Sequence, residues 1–284
     1  MDRLRGISEA HRSFSRRGLL TGAGAGLLTS SLRADVGDLL AAVDPTAVQP
    51  TNSFAHIAYG PSGGGSWKTS FVFINADATA SSVLLLTYRP DGSLLPVPVV
   101  GGTTDSQHAI NVPASGSVQV DLEETAPSVI TTGWAGVVPT GNVRGQGIFK
   151  ATVPGRPDFE AVVPMVSRSQ PACIIPFPTQ PAAMLAMAFD NSSGYVTSVA
   201  FANTATASRT LDLEFVDQSG VQIFRVQESM AAHNQMAFET SVRYGAVAGK
   251  KGWMRVLANA SDFTALGFRF NPSGAFTTWL PVLG

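Results

Sequence analysis

Apolar and polar residues alternate along much of this chain, and the period of two is that of β-strands. In Leu211 to Phe215, two carboxylates separate three apolar residues, so one face of the segment is expected in a core and the other in water. Ser117 to Leu122 alternates in the same way. The runs Thr69 to Ile74 and Val83 to Leu86 are more continuously apolar, as in strands that are covered on both faces.

Turn signals separate these runs at short intervals. Pro90-Asp91-Gly92 and Gln218-Ser219-Gly220 each lie between two apolar runs, and a glycine can take the positive φ that a hairpin turn needs. Each half of the chain then holds roughly seven short strands, as an immunoglobulin-like (Ig-like) domain does. The pattern therefore predicts an all-β protein built from antiparallel β-sandwiches.

The chain also repeats itself. His56 to Gly92 overlies Met184 to Gly220 without a gap, at a constant offset of 128 residues. The matched pairs include Thr69 with Thr197, Phe73 with Phe201, Asn75 with Asn203, and Leu85 with Leu213. Gly133-Trp134 matches Gly252-Trp253 further on. We therefore predict two tandem Ig-like sandwich domains related by internal duplication, with both tryptophans buried at equivalent places. The alternative is that the copies share strands in one continuous core.

The first 34 residues differ in character from the rest. Arginines dominate the start, and a mildly apolar, glycine-rich stretch from Gly18 to Leu28 follows. This order is typical of an export signal, and the stretch is too short to span a bilayer stably. The run from Ser15 to Leu20, which contains Arg16 and Arg17, resembles the twin-arginine signal that directs bacterial export. We therefore expect a bacterial protein of the periplasm, the cell surface or the extracellular space, the alternative being an N-terminal amphipathic helix.

These patterns set the expected boundaries along the chain. A lead-in segment with one or two helical turns ends at Pro45 and Pro50, and four prolines stiffen the connection between the repeats. The boundaries are 1–34 for the export signal, 35–53 for the lead-in, 54–166 for the first repeat, 167–181 for the Pro-rich connection and 171–284 for the second repeat.

Composition narrows the classes of partner. Charged residues make up 14% and hydrophobic residues 44% of the chain, which suits packed strands and many turns. The formal net charge is −1, and about −5 without residues 1–34, so nothing favours nucleic acid. No segment outside the export signal is apolar enough to span a membrane. The single cysteine, Cys173, cannot form an internal disulfide and is expected to be a small buried hydrophobe.

One short motif suggests a reaction. Gly60-Pro61-Ser62-Gly63-Gly64 fits the G-x-S-x-G pattern of hydrolases, in which the serine lies on a tight turn from a strand to a helix. Here Gly65-Ser66-Trp67 leads straight into a strand, and no lysine follows where a phosphate-binding loop needs one. We therefore interpret the motif as a flexible loop.

No other group of residues points to catalysis or to a metal. The histidines after the export signal are His56, His108 and His233. None of them has a second histidine or a cysteine three or four residues away, as zinc sites favour. Asp121, Glu123 and Glu124 are clustered at a strand end, where such runs are usually solvated. We expect no catalytic residue, no cofactor and no metal.

Motifs at the ends of the two copies carry a resemblance to a known kind of protein. Phe54 to Gly60, Gly64 to Thr69 and Asn75 open the first copy, while Val153 to Pro164 and Arg269 to Thr278 close the two copies. Together they resemble an uncharacterised tandem β-repeat unit of secreted proteins from soil bacteria, notably acidobacteria. The resemblance implies a secreted β-repeat protein and brings no activity or functional residue with it.

The sequence favours a non-catalytic, exported β-sandwich protein that acts in binding or adhesion at the cell surface. Two tandem modules raise avidity for a repetitive target such as a polysaccharide. Two alternatives stay open. An exposed edge strand would allow self-association into an extracellular assembly or fibre. Distant loops brought together by the fold would allow a secreted hydrolase.

The candidate ligand platform is Tyr59 and Trp67, with the glycine-rich loop between them. Their counterparts in the second copy are Met187 and Tyr195, so this region does not keep its size and polarity between copies. Exposed aromatic rings on the loops of a rigid sandwich can stack on a sugar. The alternative is that Trp67 only begins a buried strand.

Overall fold

The computed structural model describes residues 44–122, 129–167, 183–258, 260 and 262–283. The chain divides into two units between Ala34 and Asp35, and all described residues belong to the second unit. The expected export signal, the first part of the lead-in, Glu123, Glu124 and nearly all of the Pro-rich connection, with Cys173, lie outside the described residues.

Strands dominate the first half of the described chain. They are β1 (Asn52–Ser62), β2 (Gly65–Asn75), β3 (Ser81–Tyr88), β4 (Val97–Pro98), β5 (Thr104–Asp105), β6 (Gln107–Val112), β7 (Ser117–Asp121), β8 (Thr131–Pro139), β9 (Val143–Thr152), β10 (Phe159–Pro164) and β11 (Val166–Ser167).

The second half adds nine strands and two short helical turns among the described residues. They are β12 (Ala183–Asp190), β13 (Val196–Asn203), β14 (Arg209–Asp217), β15 (Gln222–Met230), β16 (Gln235–Glu239), α1 (Thr240–Arg243), a 3₁₀ turn (Gly245–Val247), β17 (Lys251–Ala258), β18 (Phe263–Phe270), β19 (Phe276–Trp279) and β20 (Val282–Leu283). The predicted all-β, antiparallel character is confirmed. Neither helical turn among the described residues has the length and apolar character needed to cross a bilayer.

Each half is a sandwich of two antiparallel sheets, and the two halves have the same strand order. In the first half the sheets run β11-β1-β8-β3-β6 and β7-β2-β9-β10, and the end of β1 also pairs with β2. In the second half they run β20-β12-β17-β14-β15 and β16-β13-β18-β19. The two sheets of the first half face each other across a core, in which the rings of Phe54 and Phe71 lie 5.0 Å apart.

This order differs from that of an immunoglobulin constant domain, so the predicted Ig-like character is not confirmed. An immunoglobulin domain puts its first, second, fourth and fifth strands in one sheet. Here the first strand, β1, shares a sheet with β3, β6 and β8, while β2 lies opposite with β7, β9 and β10. Alternation along the chain reports which face of a strand is buried but not which strands are neighbours, so the period alone could not distinguish the two orders.

Two buried asparagines make the same hydrogen bonds in the two halves. Asn75 Nδ2 lies 2.8, 3.4 and 3.0 Å from the backbone oxygens of Thr79, Val112 and Pro113. Asn203 Nδ2 lies 2.8, 3.3 and 2.8 Å from those of Ala207, Met230 and Ala231. Each Oδ1 accepts a bond of 3.0 Å from the backbone N–H two residues later. The matched asparagines therefore hold equivalent loops together.

Before β2 the gap-free overlay is wrong by four residues. Thr69 Oγ1 bonds the backbone N and O of Ala58, and Thr197 Oγ1 bonds those of Asp190. Ala58 therefore corresponds to Asp190, not to Ala186 as in the overlay. The physical reason is that β1 and β2 continue to pair beyond this point, through Gly60–Trp67 to Ser62–Gly65, which lengthens the first hairpin.

Trp134 and Trp253 occupy the same register but not the same environment. Trp134 pairs with Tyr88 and Trp253 with Val216. The preceding glycines allow a close approach in both halves, because a Cβ there would lie 2.1 Å from the Tyr88 oxygen or 2.0 Å from the Val216 oxygen. Trp134 is fully buried, whereas Trp253 is 36% exposed, so the expectation of two buried tryptophans is wrong for Trp253.

The two halves keep separate sheets but share part of one core. Leu266, Phe268 and Phe276 of the second half belong to the buried cluster of the first sandwich, while the second sandwich has a cluster of its own. The second half therefore completes the core of the first half, and the described residues act as one packed body rather than as two modules joined only by a linker.

Candidate functional site

A stack of three rings joins the halves on one side. His233 lies in the turn between β15 and β16, and its ring is 4.9 Å from that of Tyr88, which in turn lies 4.4 Å from Trp134. Trp134 Nε1 donates a hydrogen bond of 2.7 Å to the His233 backbone oxygen. The outer face of β3 and β8 is therefore an internal contact in the first half.

The same face of the second half carries charges instead. The register matches Leu84 with Asp212, Leu86 with Glu214, and Gly136 with Arg255. Arg225 pairs with Asp212, and Arg255 pairs with Glu214. The hydrogen bond from Arg225 lowers the pKa of the Asp212 carboxyl. Trp253 remains on this polar face as a large apolar side chain without the cover that Trp134 has.

A second contact surface is also replaced by charge in the second half. Thr69 pairs with Phe149 in the first half, and Thr197 pairs with Arg269 in the second. The ring of Phe149 meets Phe268 at 5.5 Å across the two halves. Arg269 instead binds Asp190 at 2.8 Å and lies 3.7 Å from the centre of the Tyr195 ring. The second half therefore has a polar end where the first half has an apolar docking edge, as terminal repeats of stacked arrays do.

An open cleft of about 390 Å³ lies at this polar end. Its lining consists of Ala188, Phe189, Asp190, Gln218, Lys251, Gly252, Trp253 and Trp279. Among the described residues, β20 pairs with β12 only at Leu185 and Ala186, so the edge of β12 beyond them is uncovered. Ala188 is exposed and leaves room beside the two tryptophans that line the cleft.

Charged groups in the cleft are held in place by neighbours. Burial acts to raise the pKa of the Asp190 carboxyl, but hydrogen bonds from Ser192 and Arg269 outweigh it and the pKa is lowered. Ser192 Oγ donates to Asp190 Oδ1 at 2.7 Å and Arg269 Nη2 to Oδ2 at 2.8 Å. Asp190 is therefore a fixed, ionised acceptor at neutral pH, and exposed Lys251 and Gln218 add donors opposite it.

The structure separates the two residues of the platform predicted from the sequence. Tyr59 is only 7% exposed and belongs to the core of the first half, so it offers no ring face to a ligand and the expectation for it is corrected. Trp67 is half-buried, packs 5.1 Å from the ring of Phe276, and lines a different cavity from Trp253.

This second cavity lies between the two halves and measures about 310 Å³. The first half contributes His56, Ala58, Ser62, Trp67, Ile130 and Phe149, and the second half contributes Ser198, Val199, Ala200, Ala237, Phe238, Glu239, Phe268 and Phe270. Most of this lining is apolar. We refer to it below as the inter-half cavity, and to the cleft around Trp253 and Trp279 as the tryptophan cleft.

His56 is the titratable group at the base of the inter-half cavity. Its ring stacks on Phe149 at 5.5 Å and lies edge-on to Phe268 at 6.2 Å. Gln235 Nε2 is 3.1 Å from His56 Nδ1, and it also donates to the backbone oxygens of Ala55 and Gly133 at 2.6 and 2.7 Å. Burial lowers the pKa of His56 to about 4, so the imidazole is neutral at physiological pH.

We expect stability to fall as the pH drops from about 6.5 towards 4. In this window an unfolded histidine binds a proton, whereas His56 in the fold does not, so protons favour the unfolded state. Burial lowers the pKa of His108 and His233 as well. These two histidines therefore also lower the stability as the pH falls. Urea unfolding between pH 7.5 and 5 should show the loss, at up to about 1.4 kcal/mol per pH unit for each histidine, and His56→Gln should make the dependence shallower. A stability that is flat over this range, or an unchanged slope in His56→Gln, would contradict the assignment.

The hydrolase pattern around Ser62 does not assemble a catalytic pair. Ser62 ends β1 and leads through a tight turn into β2, not into a helix. His56 lies six residues earlier in β1, and its Nδ1 is 3.1 Å from Gln235 Nε2. Among the described residues, no hydrogen bond joins His56 to Ser62, as a nucleophile and its base would need. In the part of the chain that the structure describes, no three histidine, cysteine or carboxylate side chains are grouped as a metal site requires.

Comparison with known proteins does not place the chain in a family. No protein-family model matches the chain, and no curated protein matches it. One solved structure, a glycosyl hydrolase family 2 member from Bacteroides cellulosilyticus, aligns with 77% of this chain and 28% of its own length, at 9% identity and a TM-score of 0.15. The alignment thus spans under a third of that enzyme, and a similarity this weak carries no argument about function.

Sequence reasoning missed the tryptophan cleft. It grouped Trp253 with Trp134 as a core residue and did not weigh Trp279. One signal was present in the sequence: the strand that pairs with Trp134 carries Leu84 and Leu86, while the strand that pairs with Trp253 carries Asp212 and Glu214 at the matched positions. A tryptophan beside a strand with carboxylates on its outward face is expected at the surface.

Proposed function

We propose that this protein is a non-catalytic binding protein that recognises carbohydrate through the tryptophan cleft of its second half. The observation that carries the proposal is Trp253, which is 36% exposed on a face that carries two arginine–carboxylate pairs. Trp253 shares an open cleft with Trp279, Asp190, Gln218 and Lys251. A large apolar ring kept on a charged surface is a feature of binding sites.

The chemistry of the cleft suits a sugar. One face of a pyranose ring presents C–H groups, which pack on an aromatic ring, while its hydroxyls need donors and acceptors at the rim. Asp190 supplies acceptors, Lys251 supplies donors, and the Gln218 amide supplies both. The lining holds one carboxylate, which is paired with Arg269, and one ammonium. The cleft therefore has no cluster of like charges for a polyanion, and an uncharged polysaccharide fits it better.

The fold presents the cleft in a way that suits a long polymer. The cleft is open, and it lies at the uncovered edge of β12. The first half is not a second copy of this site, since Tyr88 and Trp134 are covered there by His233. We therefore propose one carbohydrate site in the described part of the chain, with the first half as its rigid support.

We propose that residues 1–34 export the protein, so that the cleft meets polysaccharide in the periplasm, at the cell surface or outside the cell. We also propose that the halves arose by duplication of one unit, of the kind that the secreted soil-bacterial repeats resemble. The matched strand order and the matched asparagine and threonine bonds support this. The polar end built on Arg269 and Asp190 favours binding over assembly through that edge.

Polysaccharide pull-down tests the proposal. The protein should be retained by at least one uncharged polysaccharide from a panel such as cellulose, chitin, xylan and mixed-linkage glucan. Trp253→Ala and Trp279→Ala should each weaken retention by about tenfold or more, because each removes a ring on which a sugar stacks. Val242→Ala, at a residue 78% exposed outside the cleft, is the matched control and should bind as the wild type does.

Unfolding curves separate binding from folding in the same variants. Trp253 is exposed, so the free energy of unfolding of Trp253→Ala should stay within about 1 kcal/mol of the wild-type value. Retention of Trp253→Ala and Trp279→Ala at the wild-type level would overturn the site. Failure of the wild type to bind any polysaccharide in the panel would overturn the function.

A further inference from the structure

An arc of aromatic rings surrounds the inter-half cavity. From Trp67 it runs through Phe276, Phe270 and Phe268 to Phe149, with centroid separations of 5.1, 5.5, 6.3 and 5.5 Å. His56 continues the arc, stacked on Phe149 at 5.5 Å. All of these rings except Phe276 line the cavity itself. Both halves contribute to it, so the arc exists only in the assembled chain.

The cavity has one ionised group in its lining. Among the lining residues, Glu239 and His56 are the titratable ones, and His56 is neutral at physiological pH. Glu239 is exposed, and within the described chain its carboxylate has no hydrogen bond or ion pair. Other carboxylates of the second half are paired, as Glu228 is with Arg243 and Asp190 is with Arg269. Glu239 therefore stands at the opening of an aromatic cavity as an unpaired negative charge.

We infer that the inter-half cavity binds a small organic cation that carries a methylated ammonium group. Aromatic faces attract a cation through their quadrupole, and rings arranged around a quaternary ammonium are a recurrent way of binding it. Methyl groups on the nitrogen spread the charge and make the cation easy to desolvate against apolar rings. Glu239 complements that charge at the opening, whereas an anionic ligand would meet only repulsion from it.

The size and polarity of the cavity agree with such a ligand. A volume of about 310 Å³ is at the small end of the range of ligand pockets. Ser62 and Ser198 add hydroxyls for a polar tail. Phe238 also lines the cavity, but the Arg243 guanidinium already lies 4.8 Å from its ring centre. The rings open to a ligand are therefore those of half-buried Trp67 and Phe270, whereas Phe149 and Phe268, at 1% and 7% exposed, form the buried part of the lining.

Choline chloride and its neutral isostere, 3,3-dimethylbutan-1-ol, test the inference by calorimetry and tryptophan fluorescence. The two probes share a shape and differ in charge. Choline should bind, and the isostere should bind at least about fivefold more weakly. Glu239→Gln should lower the affinity for choline by about fivefold and leave the affinity for the isostere unchanged. Glu160→Gln removes another exposed carboxylate, outside the cavity, and should change neither probe.

Trp67→Leu checks the aromatic part, because leucine keeps apolar bulk but removes the ring face. Trp67→Leu should weaken the binding of choline more than the binding of the isostere. The urea midpoint of this variant shows whether the two halves still pack together. Absence of choline binding to the wild type, equal affinity for the isostere, or an unchanged affinity in Glu239→Gln would each overturn the inference. Trp253→Ala should bind choline as the wild type does, so this test and the polysaccharide test fail independently.

Discussion

Replacing Trp134 with alanine should cost about 4 kcal/mol of unfolding free energy, the largest effect we expect from a single substitution. Trp134 is fully buried, stacks on Tyr88 at 4.4 Å, and donates its Nε1 hydrogen to the His233 backbone at 2.7 Å. Alanine would leave a large cavity between the halves and an unpaired carbonyl oxygen beside it.

Trp253→Ala is the matched control, because it removes the same side chain at the same register of the other half. Trp253 is 36% exposed, so its loss should cost less than about 1 kcal/mol. Urea unfolding of both variants measures the difference directly. Equal losses in the two variants would mean that the two tryptophans have similar environments, contrary to the structure.

Asn75→Ala and Asn203→Ala should each cost about 3 kcal/mol. Both side chains are almost fully buried, and each contacts three backbone oxygens and accepts from one backbone N–H. Alanine leaves those groups without a partner in a buried loop. Since the bonds are matched, the two losses should agree within about 1 kcal/mol.

Asn142→Ala is the control for these variants, since Asn142 is exposed and its side chain makes no hydrogen bond within the described residues. It should cost less than about 0.5 kcal/mol. Thermal or urea unfolding of all three variants gives the comparison. A large loss of unfolding free energy in Asn75→Ala with a negligible one in Asn203→Ala would show that the two asparagines do not stabilise their loops equally.

Much of the fold could be predicted from the sequence because it depends on local signals. The period of two located the strands from Leu211 to Phe215 and from Ser117 to Leu122. The overlay matched Asn75 with Asn203, and the structure gives both side chains the same hydrogen bonds. Strand neighbours, in contrast, are set by long-range pairing, and alternation does not encode them. The Ig-like character is therefore not confirmed, whereas the all-β antiparallel character is.

The candidate site was harder to predict because it depends on what covers a residue. Trp134 and Trp253 follow a glycine in the same register, and only the packing of the His233 turn on one of them makes their environments differ. Tyr59 is a buried strand residue, although its position next to a glycine-rich loop indicated exposure. Trp67 lines a cavity that exists only where the halves meet.

A crystal structure of the protein with a bound oligosaccharide tests the central claim most directly. The oligosaccharide would be the one prepared from the polysaccharide that retains the protein. We predict a sugar ring packed on Trp253 or Trp279, with hydroxyls within hydrogen-bond distance of Asp190, Gln218 or Lys251. Electron density for the sugar in the inter-half cavity, or anywhere outside the tryptophan cleft, would contradict the account.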